Sequence, residues 1–152
     1  MDGQKRIAFL AHDAVKPTLG AWAFANERAL LPHQLTATGN TGRAVMEATR
    51  LEVTCLRSGT LGGDLELGAL IADGRIDILI AFTDPLTAQP HDVDIAPLLR
   101  ISNIAQIAVA LTETTADFLV RSELMTRPYA RTRGTPALPA AQQKIDRRRE
   151  VA

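Results

Sequence analysis

Apolar residues occur in short runs along this chain, with stretches of helical spacing between them. Ile7-Ala-Phe-Leu-Ala11 predicts a buried strand, followed by a helix over Thr18 to Arg28 that carries Trp22 and Phe24. Leu35 to Thr38 predicts a second strand and Gly42 to Thr49 the helix after it, and Glu52 to Leu56 with Gly63 to Asp73 repeats the pair. The clearest strand is Ile76-Asp-Ile-Leu-Ile-Ala-Phe82, apolar and rich in β-branched residues, entered through Asp73-Gly74. A helix over Ile95 to Ser102, a fifth strand over Gln106 to Ala110 and a helix over Thr115 to Ser122 complete the series.

Strands this apolar, alternating with helices, imply a parallel sheet covered on both faces. In open sheets of this kind the site lies outside the carboxyl ends of the strands. The residues just past those ends are His12-Asp13, Thr38-Gly-Asn-Thr-Gly42, Ser58 to Asp64, and Asp84-Pro85 with His91-Asp-Val-Asp94. Ionisable residues and glycines gather at these places. From Thr126 the pattern changes: Arg127 to Pro139 holds three prolines and little periodicity, which predicts an extended arm, with a terminal helix over Ala140 to Val151. The arm, 126–152, is read as part of the same domain as 1–125.

The 152 residues suit one compact domain, long enough to bury about two-thirds of the unfolded surface. A formal net charge of zero gives no footprint for nucleic acid or an acidic membrane, and Arg147-Arg148-Arg149 reads as a solvated helix end. Cys55 is the single cysteine, so an intramolecular disulfide and Cys-rich metal sites are excluded; inside its strand it reads as a small buried thiol. The amino terminus lacks the apolar core of a signal peptide, and no run approaches the roughly 18 apolar residues of a membrane span. A soluble, cytoplasmic protein is expected.

Ser58-Gly-Thr-Leu-Gly-Gly-Asp64 is a glycine-rich turn between a strand and a helix, which offers free N–H groups and the positive end of a helix dipole to an anion. It also ends in a carboxylate, a base beside a phosphate site. Thr38-Gly-Asn-Thr-Gly42 is a second such turn, although a Thr or Asn helix cap would account for it equally well. Lys16 either adds positive charge there or is solvated. His12, Asp13, His91, Asp92, Asp94 and Asp64 could ligate a divalent metal or form an acid–base centre. Plainer roles exist: Asp84 before Pro85 opens turns, Asp92 could cap a helix, His33 reads as a loop residue and Trp22 as core.

Taken together these blocks resemble methylglyoxal synthase. The similarity runs from about Ile7 to Phe118 and is carried by Ala11-His-Asp with Lys16, Ala37-Thr-Gly-Asn-Thr-Gly42, Ser58 to Asp64, Asp84-Pro-Leu86, Pro90-His-Asp-Val-Asp94 and Thr115-Ala-Asp-Phe118. The resemblance implies a flavodoxin-like, three-layer α/β/α sandwich on a five-stranded parallel sheet, assembled as a homohexamer. It also implies a lyase, without cofactor or metal, that converts dihydroxyacetone phosphate to methylglyoxal and inorganic phosphate, with phosphate an allosteric inhibitor in many members. Asp64 would then be the general base at C3. His91 would move protons on the enediol, with Asp94 and Asp13 tuning it, and His12, Lys16, Thr38, Gly39, Asn40, Thr41, Ser58, Gly59 and His91 would hold the substrate. A tail arginine, Arg147 with Arg148 as the alternative, would reach a neighbouring subunit's phosphate.

Abstraction next to a carbonyl needs a base within about 3 Å of the proton and a donor at the developing oxyanion, which this set of residues could supply. The chain departs from the family pattern at Asn40, where a Thr is usual, at Thr60-Leu61 for Pro-Met, and at Thr83 for Trp. The fold also resembles the regulatory domain of carbamoyl-phosphate synthetase, which binds phosphorylated effectors without catalysis. A sensor of that kind would need the glycine turns but not Asp64 with His91 and Asp94.

Overall fold

The computed structural model describes residues 1–86 and 95–131. Its five strands are β1 (Arg6–Ala11), β2 (Gln34–Ala37), β3 (Val53–Cys55), β4 (Ile78–Phe82) and β5 (Ala108–Ala110). All pairings are parallel and the spatial order is 3-2-1-4-5. The helices are α1 (Lys16–Ala25), the short α2 (Glu27–Leu30), α3 (Gly39–Ala48), α4 (Gly63–Ala72), α5 (Ile95–Ala105) and α6 (Glu113–Val120). The expected α/β/α sandwich of flavodoxin-like kind is what forms.

Side-chain alternation along β1 sorts the core into two layers. Ile7, Phe9 and Ala11 face Leu19 and Trp22 of α1, Val45 of α3 and Ala116 and Val120 of α6. Ala8 and Leu10 face Leu67 and Ile71 of α4 and Leu98 of α5. Trp22 is core, as expected, with its ring edge-on to Phe82 at 5.9 Å and to Phe9 at 6.5 Å. Its indole N–H donates to Asp117 at 2.9 Å, so the Thr115-Ala-Asp-Phe block carries a structural bond.

Coverage of both faces holds for the central strands and fails at one edge. β1 and β4 are buried along nearly their whole length, whereas β2 and β3 alternate or open to solvent. Cys55 is the clearest correction: it is exposed, not a buried thiol. It ends the edge strand, and its sulfur sits so close to α3 that a Cβ on Gly42 would lie 2.5 Å from it.

α3 begins at Gly39, three residues before the helix expected at Gly42. The glycines of the turn are thus helical residues chosen for close approach. α1 starts at Lys16 with Pro17 in its first turn, where a missing N–H costs nothing. His33 is a loop residue, but a buried one, whose Nδ1 accepts the Lys5 N–H at 3.1 Å.

At the amino ends of the strands, residues 126–131 are stitched to the start of the chain. Tyr129 and Met1 exchange backbone bonds at 3.0 and 3.1 Å, and the buried Lys5 ammonium donates to the carbonyls of Asp2 and Arg127. Arg131 reaches the Ile76 carbonyl at 3.1 Å and Asp77 at 3.4 Å, and Asp77 also takes two bonds from the Arg6 guanidinium. The proposed terminal helix, Arg147 and Arg148 lie outside the described residues.

Candidate active site

Two glycine turns meet at the carboxyl edge of β2 and β3. The Gly39 N–H donates to the Arg57 carbonyl at 3.1 Å, so the first residue of α3 is bonded directly to the segment that leads into Ser58. A Cβ on Gly39 would stand 2.9 Å from the Leu56 carbonyl oxygen, and one on Gly63 only 1.9 Å from that of Arg57. Glycine at both positions is what lets the turns close on each other. Gly62 has φ +85° and caps α4, so a side chain there would be strained.

The bonding of the turns divides their donors. Gly39 spends its amide on Arg57, Gly42 on Thr38, and Leu61 and Gly63 on Ser58. The amides of Asn40 and Thr41 in the first turn, and of Gly59 and Thr60 in the second, take no partner among the described residues. These are the groups at helix starts that can hold an anion. Thr38 and Thr41 are buried; the Thr38 hydroxyl donates to that of Thr41 at 3.1 Å, which also accepts the Ala11 N–H at 3.3 Å. The Thr41 oxygen therefore ties α3 to β1. The Asn40 side chain, in contrast, is exposed.

β1 lies beside β2, and past its end a single 3-10 turn (Asp13–Val15) leads into α1. His12, half-buried, donates its amide to the Phe82 carbonyl at 3.1 Å and accepts the Asp84 N–H at Nδ1 at 3.3 Å. Lys16, largely buried, is hydrogen-bonded to the exposed Asp13 carboxylate. Of the two readings open for Lys16, solvent exposure is set aside.

Asp64 sits in the first turn of α4, where the helix dipole favours a carboxylate. It is half-buried, and its side chain takes no partner among the described residues. One flank borders an apolar groove of about 320 Å³ between α4 and α5, lined by Leu65, Gly68, Pro97, Leu98 and Ile101. A carboxylate and amides at one sheet edge, none of them partnered among the described residues, have the makings of a base beside an anion cradle.

His12, Asp13, Lys16, Thr38, Gly39, Asn40, Thr41, Ser58, Gly59 and Asp64 thus share one edge of the sheet. His91, Asp92 and Asp94 lie outside the described residues. Asp84, which the sequence placed past β4 but gave no role beyond opening a turn, also reaches this edge, through its amide's bond to His12. Its position just past β4 was visible, but an Asp-Pro pair is so common in turns that the amide's contact with His12 could not be read from it.

A family pattern described as the MGS-like domain matches residues 20–111. The methylglyoxal synthase of Clostridium acetobutylicum is 47% identical over 131 residues, spanning 86% of this chain and 90% of that protein. The chain belongs to the methylglyoxal synthase family. The methylglyoxal synthase of Erwinia tasmaniensis is 49% identical over 127 residues, spanning 84% of each chain. The crystal structure of methylglyoxal synthase from Elizabethkingia anophelis superposes with a TM-score of 0.82 at 40% identity, covering 85% of both chains. The protein is accordingly a lyase with the methylglyoxal synthase activity of its family.

Proposed function

We propose that the chain converts dihydroxyacetone phosphate to methylglyoxal and inorganic phosphate, with Asp64 as the general base. The observation that carries this reading is the Asp64 carboxylate in the first turn of α4, without a partner among the described residues, beside two glycine turns whose amides at Asn40, Thr41, Gly59 and Thr60 are likewise unspent among them. The amides of Asn40, Thr41, Gly59 and Thr60, with Lys16, bind the phosphate. Asp64 removes a proton from the hydroxymethyl carbon, C3. The C–H electrons form a C2–C3 double bond and the carbonyl oxygen takes up negative charge, which hydrogen-bond donors such as His12 and His91 stabilise.

Elimination follows when the C3 hydroxyl gives up its proton, a step assigned by resemblance to His91 with Asp94. As that C–O bond becomes an aldehyde, the C2–C3 pair shifts to C1–C2 and the phosphate leaves with the electrons of its C–O bond. The resulting enol takes a proton at C1 and becomes methylglyoxal. Overlap requires the breaking C–O bond to stand out of the enediolate plane, and a phosphate held from two turns fixes that torsion. No cofactor or metal is called for. The same reading has the chain assemble as a homohexamer inhibited by inorganic phosphate, with Arg147 or Arg148 reaching a neighbouring site.

Incubation with dihydroxyacetone phosphate tests the reaction. Methylglyoxal and phosphate should appear in equal amounts. Folded protein that releases neither would leave the site as one for binding alone.

A further inference from the structure

The strand order reverses between β1 and β4, and His12 and Asp84 stand on the two sides of that crevice, just past the strand ends. The Asp84 backbone N–H donates to the His12 Nδ1 at 3.3 Å. A backbone amide can only donate, so the ring nitrogen it meets must carry a lone pair and no proton. An imidazolium would set one N–H against another, and so would the neutral form with its proton on Nδ1. Turning the ring over would put a C–H in that place. The form that fits is the neutral imidazole with its proton on Nε2.

Both partners are pinned. The His12 amide is bonded to the Phe82 carbonyl at 3.1 Å, which holds the residue to the end of β4. The Asp84 carboxylate accepts the Leu86 N–H at 2.9 Å, an Asx turn that sets the direction of the Asp84 peptide. We propose that Asp84 is a positioning residue that keeps His12 in the neutral, Nε2-protonated form, so that His12 meets the substrate as a hydrogen-bond donor and not as a cation or a base. This rests on the reading above that places the substrate beside His12. A neutral donor steadies an oxyanion without surrendering its proton to it, while positive charge for the phosphate comes from Lys16 and the helix starts. The division of labour leaves proton removal to Asp64.

The test is nitrogen-15 NMR of the full chain labelled in its histidine rings, with His12 assigned by comparison with His12→Gln. At neutral pH the expected pattern for His12 is an unprotonated Nδ1 and a protonated Nε2. A proton on Nδ1, or on both nitrogens, would overturn the proposal. Asp84→Asn, which keeps an oxygen for Leu86, should preserve the pattern. Asp84→Ala should shift the His12 signals towards a mixture of tautomers and lower kcat about tenfold, the loss of roughly one hydrogen bond. Unchanged ring signals in folded Asp84→Ala would remove Asp84 from the role. The NMR result does not depend on turnover, so an inactive protein with the expected tautomer would contradict the reaction and leave this inference standing.

Discussion

Gly63 sets the position of the proposed base more tightly than any contact of Asp64 itself. A methyl group on it would lie 1.9 Å from a backbone oxygen, which no rotamer change can relieve, so Gly63→Ala must push the Ser58 turn away from α4. We expect a loss of about 2 kcal/mol or more in urea unfolding and of most turnover. A variant with unchanged stability and activity would show that the turn tolerates the displacement. Ionisation at another residue bears on stability alone. Burial lowers the His33 pKa, and the Lys5 charge adds to the effect. The unfolded chain therefore takes up a proton at His33 near pH 6.5 while the folded chain resists it. Its contribution is complete above that pH and is lost as pH falls towards the folded pKa. Unfolding free energy should decline from pH 7 to about 5, and His33→Asn, which offers the Lys5 amide an oxygen, should flatten the decline.

At the scale of elements, α5 ends on a residue that its conformation does not suit. Gln106 has φ +52°, in the left-handed region, and the Ile107 N–H returns to the Ser102 carbonyl at 3.1 Å, as at many helix ends where glycine is preferred. Gln106→Gly should raise stability by about 0.5–1 kcal/mol in the same unfolding experiment, net of the Gln106 side-chain bond to the Asn103 carbonyl; a lower stability would mean that this bond outweighs the strain. The helices and central strands were legible because burial on both faces leaves a run of apolar residues, as in Ile78–Phe82. β3 was harder to read. Its exposure follows from its place at the sheet edge, which is a tertiary fact. The early start of α3 was hidden for a similar reason, since glycines look like turn residues until Leu56 and Cys55 are seen pressing on them. The hydrogen bonding at Gly39 and Thr41 is likewise invisible in sequence, because the Arg57 carbonyl accepts from the Gly39 amide and the Ala11 amide donates to the Thr41 hydroxyl only once the strands are side by side.

For the molecule as a whole, the parallel order 3-2-1-4-5 does the assembling. It gathers residues 12–16, 38–42, 58–64 and 84–86, which follow four different strands, at one edge, and it leaves the Lys5, Asp77 and Arg131 contacts at the other. Asp77 is held below the usual carboxylate range: burial pushes it up, but hydrogen bonds from Arg6 and the charges of Arg6 and Arg131 outweigh that. The Asp77 carboxylate of that clasp therefore keeps its charge to lower pH than an ordinary aspartate. In the proposed reaction the Asp64 carboxylate, with His91 and Asp94, is what a phosphate-binding domain would not need. The decisive measurement compares the wild-type chain with Asp64→Asn for methylglyoxal release from dihydroxyacetone phosphate, alongside calorimetric binding of inorganic phosphate. Turnover should fall by about a thousandfold while phosphate binding persists. An Asp64→Asn protein that still makes methylglyoxal at the wild-type rate would contradict the account.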